Sequence, residues 1–389
     1  METQMQGNAV EVSATRGIDV GGIEKELAAM WQQASGAEGA DEAGVVRACA
    51  LNLVVYTTKD DDRALLDEML GVVNEQHPGR ALVLLVDREA SAPRLEAYVS
   101  SRCRILGKSR RQVCGEQVTI EAGGIIVETA ASAIAPLLVP DVPVFLWWKD
   151  IPHYDDPLFN RLSRLADRVV IDSAAFDHPH EDMLRLRGVV AEIAPGARVS
   201  DLNWGRLTSW RTLLASFWDV AEYRSALADI ESVTIEYDAP DAAPGEIAPQ
   251  ALLVAGWLAS RLGWQVAPDS GARKEGNTTT FKLAAPAHPL VIEMRAMEDE
   301  KGGDGMLASL TLHAASRGVS FSVALSRDGK RLETKACMNE AHVIGRVLAY
   351  EQKTEGQRLS REFGLLARDL VYEQTLAIAA QLIEAAARS

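Results

Sequence analysis

Two short apolar segments with a helical pattern between them constrain the fold of this chain more than any other feature. Residues 141–150 and 166–173 each run through consecutive apolar side chains and end abruptly in polar ones. Between them, apolar residues recur at helical spacing, at Leu158, Phe159, Leu162 and Leu165. This succession predicts a βαβ unit. In open α/β sheets, ligands and partners meet the crevice outside the carboxyl ends of the strands, which would hold Trp147, Trp148, Lys149, Asp172 and Ser173.

The composition of the chain excludes several classes of protein. Its 389 residues are 47% hydrophobic, which predicts a globular protein with room for two domains and excludes a disordered or fibrous one. The formal charge of −15 argues against nonspecific binding to nucleic acid or to an anionic membrane, since both attract clustered Lys and Arg. A basic protein or a polar small molecule fits that charge better as a partner.

No segment of the sequence predicts secretion, a membrane span or a metal site. Residues 1–16 have neither a basic start nor an apolar run, and no stretch reaches about 18 apolar residues, so we expect a cytoplasmic protein. The four cysteines are too few and too scattered for a disulfide scaffold, and none forms a CxxC pair. The tract Asp177-His-Pro-His-Glu-Asp182 is interpreted as a solvated loop, and no metal is expected.

We predict two domains of different architecture, joined by a proline-rich segment. Residues 1–20 are predicted to form a mobile tail, and residues 21–237 an α/β domain whose mixed sheet contains the βαβ unit. Residues 238–249 carry three prolines and an excess of acid, and are predicted to be the linker. Alternating apolar runs, closed by one long helix over 361–387, predict an α+β domain with an antiparallel sheet over 250–389.

An antiparallel hairpin is predicted around residues 107–110, and it is the one basic island in this acidic chain. Arg102 and Arg104 lie on its first strand, and guanidinium groups match an oxyanion such as phosphate. The two interpretations are a phosphate site and a set of solvated charges. If the turn is symmetric, Cys103 faces Cys114, close enough for a disulfide, although a cytosolic setting favours reduced thiols.

Glu116 shares a predicted strand face with apolar residues. A carboxylate on an apolar face must be paired, protonated or at an interface. Either Arg102 or Arg104 is placed to pair with it from the facing strand. The alternatives are therefore a structural ion pair and a functional acid.

The residues at the predicted crevice have both a functional and a structural interpretation. Trp148 either stacks on a ligand or packs in the core, since consecutive strand residues point to opposite faces. Asp172 and Ser173 either contact a ligand or cap the helix that follows, because Asp and Ser are preferred at N-caps. The candidate residues for contact with a partner or effector are Arg102, Arg104, Glu116, Trp148, Asp172 and Ser173.

No pattern in the sequence predicts catalysis. No nucleophile with a base beside it accompanies the crevice residues, and the GxGxxG fingerprint of dinucleotide-binding proteins does not occur. The segment Gly271–Thr278 has part of a P-loop spacing, but Asn277 stands where the phosphate-binding lysine would be. The sequence therefore favours binding over chemistry, with no catalytic residue and no cofactor expected.

Several motifs, in their order along the chain, resemble the glucose-6-phosphate dehydrogenase assembly protein OpcA family. The most specific is Pro140-Asp-Val-Pro-Val-Phe-Leu-Trp-Trp148. The others are Arg47-Ala-Cys-Ala-Leu-Asn52, His77-Pro-Gly-Arg80, Cys114-Gly-Glu-Gln117, Ala166-Asp-Arg-Val-Val-Ile-Asp-Ser173, and Asp201-Leu-Asn-Trp-Gly-Arg206 with Trp210-Arg211. The resemblance covers most of residues 45–220 and continues more weakly at Trp257–Trp264 and Arg368–Glu373.

The resemblance implies a non-catalytic partner of glucose-6-phosphate dehydrogenase. Such a protein would promote the active oligomeric state of that enzyme, as an assembly or allosteric activator in the oxidative pentose phosphate pathway. The alternative, drawn from the residues, is a phosphosugar-binding enzyme or a sensor of a phosphorylated metabolite. That site would use the hairpin arginines, Glu116 and Asp172 at the sheet crevice.

Overall fold

A computed structural model divides the chain into two compact units, each with its own sheet. Each unit is made of three segments of the chain, whereas the sequence predicts a single domain boundary at residues 238–249. The first unit comprises Met1–Ile171, Glu192–Ser200 and Thr354–Arg368, and the second comprises Asp172–Ala191, Asp201–Lys353 and Asp369–Ser389. The residues that the structure describes are 10–12, 16–17, 19–36, 45–47, 49–106, 111–193, 197–267, 271–298, 303–338, 341–364 and 367–388.

The first unit is built on a mixed sheet. Its described strands are β1 (Val10–Val12), β2 (Arg16–Gly17), β3 (Val45–Arg47), β4 (Asn52–Thr58), β5 (Arg80–Asp87), β6 (Arg94–Leu106), β7 (Arg111–Gly123), β8 (Val144–Trp148), β9 (Arg168–Ile171) and β10 (Arg198–Asp201). They lie in the order β1-β6-β7-β5-β4-β8-β9-β10, with β2 beside β6 and β3 beside β7. β4 pairs in parallel with both β5 and β8, and all of its residues but the last are buried. The core of this unit therefore lies on both faces of β4.

Helices of both units pack against the sheets. In chain order the described ones are α1 (Val20–Gly36), α2 (Arg63–Gln76), α3 (Ala130–Ile134), α4 (Pro157–Ser163), α5 (Pro179–Ile193), α6 (Leu202–Arg206), α7 (Thr208–Ala215), α8 (Ala221–Arg224), α9 (Pro249–Leu262), α10 (Glu355–Glu362) and α11 (Leu370–Ala386). Short 3₁₀ segments cover Gly124–Thr129, Ala135–Leu137, Ser173–Ala175, Ser216–Asp219, Ser225–Asp229 and Ala315–Arg317. Among the described helices, none has the length and apolar character that a membrane span requires.

The predicted βαβ unit is confirmed as β8, α4 and β9. The two strands are parallel, with Phe145 opposite Arg168. Asp156 caps α4, because its carboxylate accepts the backbone N–H groups of Leu158 and Phe159 at 2.8 and 3.3 Å. Leu158 and Phe159 are both fully buried, so the face that the apolar spacing predicted is the one that packs inside.

The predicted hairpin is confirmed as β6 and β7. Their register places Cys103 opposite Cys114, as a symmetric turn would, while residues 107–110 lie outside the described part of the chain. Cys114 is disulfide-bonded in the structure, whereas the sequence analysis favours reduced thiols. Facing positions of antiparallel strands bring cysteines within reach of such a bond.

One predicted helix is interrupted. The sequence predicts a single helix over 361–387, but α10 ends at Glu362 and α11 begins at Leu370. The Asp369 carboxylate accepts the backbone N–H of Tyr372 at 2.9 Å and so fixes the start of α11. The predicted tail, residues 1–20, is described only in part, and its described strands β1 and β2 pair with β6.

The second unit is built on a largely antiparallel sheet. Its described strands are β11 (Ser232–Asp238), β12 (Gln265–Val266), β13 (Arg273–Glu275), β14 (Thr278–Ala284), β15 (Leu290–Met297), β16 (Leu307–Ala314), β17 (Val319–Leu325), β18 (Arg331–Met338) and β19 (Ala341–Ala349). β11 is parallel to β15 and antiparallel to β16, although it precedes the proline-rich segment. Residues 238–249 therefore connect β11 to α9 within this unit, and Pro249 is the first residue of α9.

Helices α9 and α11 approach each other closely at one glycine. An added Cβ at Gly256 would lie 2.5 Å from the carbonyl oxygen of Thr375 and 3.2 Å from the nitrogen of Ala379. Both of those atoms belong to the backbone, which cannot move aside as a flexible side chain can. A side chain at position 256 would therefore force the helices apart.

Gly256→Ala is expected to destabilise the protein, whereas Gly188→Ala is expected to stabilise it. Both glycines lie inside helices, but a Cβ at 188 would meet no atom within 4 Å. Overpacking at Gly256 should lower the free energy of unfolding by about 1–3 kcal/mol. The helix preference for alanine should raise it by about 0.5–1 kcal/mol at Gly188. Urea unfolding followed by circular dichroism measures both, and a similar effect at the two positions would contradict the close approach.

Candidate functional site

The strands from β7 to β10 in the first sheet follow the order of a dinucleotide-binding fold. In the chain they succeed one another as β4, β5, β7, β8, β9 and β10, and in the sheet they lie as β7-β5-β4-β8-β9-β10. This is the doubly wound order 3-2-1-4-5-6, which reverses beside the first strand. Ligands of such sheets bind outside the carboxyl ends of the strands at that reversal. The crevice beyond β4, β5 and β8 is therefore the candidate site.

The loop from β4 to α2 is acidic where a phosphate-binding loop would be rich in glycine. Its sequence is Lys59-Asp-Asp-Asp62. The Asp62 carboxylate caps α2, accepting the backbone N–H groups of Ala64 and Leu65 at 2.9 and 3.1 Å. The exposed N–H groups at a free helix N-terminus attract phosphate. At the start of α2, the Asp62 carboxylate already accepts two of these N–H groups.

Two lysines pair with acids across the crevice. The Lys149 Nζ, just after β8, lies 2.5 Å from Oδ2 of Asp61, which also accepts the Thr57 hydroxyl at 2.6 Å. Burial opposes the ionisation of Asp61, but the hydrogen bonds from Lys149 and Thr57 outweigh it and lower its pKa. Lys59 lies 3.0 Å from Asp87 at the end of β5. In dinucleotide-binding sheets, an acidic side chain about twenty residues beyond the glycine loop holds the ribose.

The aromatic residues at the crevice belong to the core. Trp148 is 2% exposed, and its ring stacks on Tyr56 with centroids 3.6 Å apart and planes 6° from parallel. Phe159 of α4 meets Trp148 in a T-shaped contact at 4.9 Å. Burial raises the pKa of Tyr56, although Arg88, which also pairs with Asp156 at 2.6 Å, opposes the shift. Of the two interpretations of Trp148, the structure supports core packing.

The residues of the crevice do not fit a dinucleotide. A pyrophosphate at the start of α2 would meet the Asp62 carboxylate. The two negative groups would repel each other, although the helix dipole by itself attracts an anion at this end. A ribose hydroxyl at Asp87 would compete with Lys59, which donates to one of the two carboxylate oxygens. Within the described ranges there is also no cluster of His, Cys, Asp and Glu side chains that could hold a metal ion.

Glu116 lies near the amino-terminal end of the paired strands β5 and β7, at the opposite end of the sheet from the crevice. It faces Arg80 where β7 and β5 begin to pair, whereas Trp148 ends β8. The Arg80 Nε donates to Glu116 Oε2 at 2.8 Å, and Nη1 donates to Glu24 Oε1 of α1 at 2.6 Å. The Trp31 indole N–H donates to Glu116 as well. A structural ion pair is therefore present, and the partner that the structure shows is Arg80.

The hairpin arginines are described only by their backbone. Arg102 and Arg104 lie opposite Gly115 and Val113 in the register of β6 and β7. Their side chains fall outside the described part of the structure. Oxyanion binding by this pair therefore stays a prediction.

Asp172 and Ser173 belong to the second unit, where both enter a polar cluster. Asp172 caps the 3₁₀ turn that begins at Ser173, accepting the N–H of Ala174 at 3.1 Å. Its two oxygens accept the Arg206 guanidinium at 2.6 and 2.7 Å. Ser173 donates its hydroxyl to Asp201 at 2.7 Å. Capping is the role that the structure shows for Asp172, and contact with an effector stays a prediction.

Asp201 is the most deeply buried acid of that cluster. It is 2% exposed and accepts the backbone N–H groups of Ser173 and Asn203 at 3.0 and 2.9 Å and the Tyr372 hydroxyl at 3.3 Å. Burial raises its pKa from 3.8 to about 6, and the charge of Asp172 adds to the shift, although the hydrogen bonds oppose it. The folded state therefore binds this proton more tightly than the unfolded chain does.

Asp201→Asn is expected to gain stability relative to the wild type as the pH rises. The raised pKa stabilises the wild type below the unfolded value of 3.8, and this contribution is lost as the pH rises through about 6. Between pH 5 and 7.5 the difference in free energy of unfolding should change by about 1 kcal/mol in favour of asparagine. Urea unfolding at both pH values measures this. Asp219→Asn, at an exposed carboxylate, is the control, and the same pH trend in both variants would refute the assignment.

Sequence reasoning missed the pairing of charges in the crevice. The signal was the run Asp60-Asp-Asp62 directly after a buried strand, where a phosphate-binding loop would carry glycine. Lys149 was placed at the crevice correctly, but its partner lies 88 residues away in the chain. Of the candidate side chains that the structure describes, only Asp172 and Ser173 lie in one cluster.

The chain matches two family profiles. Residues 72–188 match the glucose-6-phosphate dehydrogenase subunit N-terminal domain, and residues 197–376 match the C-terminal domain of that subunit. It is similar to the OxPP cycle protein OpcA of Nostoc punctiforme, with 31% identity over 75% of this chain and 62% of the relative. The similarity to the Synechocystis protein of the same name is 29% identity over 75% and 60%. The chain thus spans less than two thirds of the length of these relatives.

Solved structures of oxidoreductases align with the chain at low sequence identity and with TM-scores below 0.5. An aldose-aldose oxidoreductase from Caulobacter crescentus aligns with a TM-score of 0.47 and 9% identity over 88% of this chain and 98% of its own. An NAD binding oxidoreductase from Klebsiella pneumoniae aligns with a TM-score of 0.48 and 10% identity over 88% and 97%. These values carry no information about activity. The two family profiles, which together span most of the sequence, show that the chain belongs to the glucose-6-phosphate dehydrogenase assembly protein OpcA family.

Proposed function

We propose that this chain is a non-catalytic subunit that binds glucose-6-phosphate dehydrogenase and promotes its active oligomeric state. Membership of a family described as a subunit of that enzyme supports the choice of partner. The observation that supports a non-catalytic role is the crevice. There Lys149 and Lys59 are paired with acids, and Asp62 caps the helix that would otherwise bind the pyrophosphate of a dinucleotide. A chain that has this strand order without the phosphate site is better suited to binding another protein.

A phosphosugar-binding enzyme is less well supported. Such a site would need Glu116, but its carboxylate is bonded to the buried Arg80 at the amino edge of the sheet. It would also need Asp172, whose two oxygens are held by Arg206. Each acid would have to leave a charged partner before it could act on a substrate. Breaking a buried ion pair in this way costs several kcal/mol.

Activation of a dehydrogenase requires a difference in affinity between its states. A subunit that bound the active and inactive enzyme equally well would shift nothing, however tightly it bound. A shift from about 1% to about 99% active enzyme requires a preference of about 10⁴-fold, or about 5.5 kcal/mol. Complex formation and kinetic change are therefore separate observations, and the proposal requires both.

The purified chain is expected to change the kinetics of the dehydrogenase from the same organism and to elute with it. At an equimolar ratio, the dependence of rate on glucose 6-phosphate should show a lower KM or a higher kcat, with a complex in size-exclusion chromatography. The chain alone should not reduce NADP⁺ or NAD⁺ in the presence of glucose 6-phosphate. Turnover by the isolated chain would refute the proposal, as would a mixture with neither a complex nor a kinetic change.

Removing both partners of the crevice ion pair is expected to leave activation intact. The double variant Asp61→Asn, Lys149→Met takes away two charges together, so no buried charge remains without a partner. Its free energy of unfolding should change by less than about 1 kcal/mol. Rate enhancement at a saturating amount of the folded variant should match the wild type. Loss of enhancement with the complex preserved would show that the crevice acts on the dehydrogenase directly.

A further inference from the structure

The guanidinium of Arg211, on α7, lies over an indole ring. Its guanidinium carbon lies 3.4 Å from the centroid of the Trp204 ring. Trp204 is itself fixed, since it is 6% exposed and its indole N–H donates to Asp369 Oδ2 at 2.9 Å. A guanidinium that stacks by its face leaves the N–H groups in its plane free to bind an anion.

Among the described residues, most of those N–H groups have no acceptor. The Nη2 of Arg211 makes two long contacts, each of 3.3 Å, to the carbonyl of Trp204 and to the hydroxyl of Thr208. Nε is buried without a hydrogen-bond partner among the described residues. Nη1 likewise has no acceptor in the described part of the chain, and unlike Nε it is not enclosed. A guanidinium carries five donors, so most of its capacity is unused.

The described residues also place no carboxylate in direct contact with this guanidinium. No carboxylate of the described residues lies within 4.0 Å of the Arg211 guanidinium. Burial lowers its pKa to about 10, although the charge of Asp369 opposes the shift, so the group still carries its charge at neutral pH. The neighbouring Asp369 accepts the Trp204 indole and the backbone N–H of Tyr372. Arg206, one turn earlier, is by contrast held by both oxygens of Asp172.

The composition of the chain does not explain why Arg206 is paired with a carboxylate while Arg211 has none within 4.0 Å among the described residues. The chain has 55 acidic and 40 basic residues, and an arginine taken partly out of water is normally paired. We propose that Arg211, stacked on Trp204, binds the oxygens of a phosphate or carboxylate group that supplies the missing counter-ion. The group comes either from a small phosphorylated molecule or from an acidic side chain of the dehydrogenase. The first source is independent of the proposed function, and the second rests on it.

The first arm of the test uses the isolated chain and inorganic phosphate. Phosphate at 10 mM or more, against chloride at matched ionic strength, should raise the melting temperature of the wild type by about 2 °C or more. Arg211→Gln should abolish the shift, and Arg211→Lys should reduce it, because an ammonium lacks the fork of the guanidinium. Arg187→Gln removes an equal charge from an exposed position and should preserve the shift.

The second arm measures binding to the dehydrogenase. If phosphate does not shift the wild type, a carboxylate source predicts that Arg211→Gln weakens the complex at least tenfold, while Arg187→Gln leaves it unchanged. A phosphate shift that requires Arg211, in a chain that forms no complex, supports the oxyanion site and refutes the proposed function. A wild type without a phosphate shift, with a complex that is absent or insensitive to Arg211→Gln, overturns the site.

Discussion

The buried guanidinium of Arg80 holds together the amino edge of the first sheet. It is 3% exposed and is bonded to Glu116 of β7, to Glu24 of α1 and, at 2.7 Å, to the carbonyl of Leu137. Burial opposes the charged form, but the two carboxylates outweigh it and raise the pKa of Arg80. Because removing one partner of a buried pair leaves an uncompensated charge, such a contact costs about 3–5 kcal/mol to break. One side chain thus ties a helix and two strands to each other.

This ion pair gives a structural reason for two of the motifs. In both His77-Pro-Gly-Arg80 and Cys114-Gly-Glu-Gln117, a glycine stands directly before a member of the pair. A Cβ at the first glycine, Gly79, would lie 2.4 Å from the carbonyl oxygen of Leu51. A Cβ at the second, Gly115, would lie 1.9 Å from Oδ1 of Asn74. Both glycines therefore allow a close approach of the backbone to its neighbours directly beside the buried charge pair.

The parts of the fold that sequence could predict are the local ones. The unit β8, α4 and β9 and the hairpin of β6 and β7 each depend on patterns within about 30 residues. The pairing of β11 with β15 joins segments on either side of the proline-rich stretch, so that stretch resembled a domain linker. The sequence offered Arg102 or Arg104 as a partner for Glu116 across the hairpin, and the partner that the structure describes is Arg80 of β5, the parallel neighbour on the other side. Sequence distance gave no means of ranking the two neighbours.

The charges of the crevice have a consequence beyond stability. Lys59 and Asp87 are both partly exposed, and surface pairs of this kind contribute about 0–1 kcal/mol. The Asp62 cap contributes about 1 kcal/mol, which another capping residue could also supply. The feature specific to this arrangement is that Lys59, Arg88 and Lys149 each have an acid within 3.0 Å. A phosphate gains little from cations that are already paired, so binding of an anion depends on a cation outside the crevice. Arg211, which stacks on Trp204 and has no described carboxylate within 4.0 Å, meets that condition.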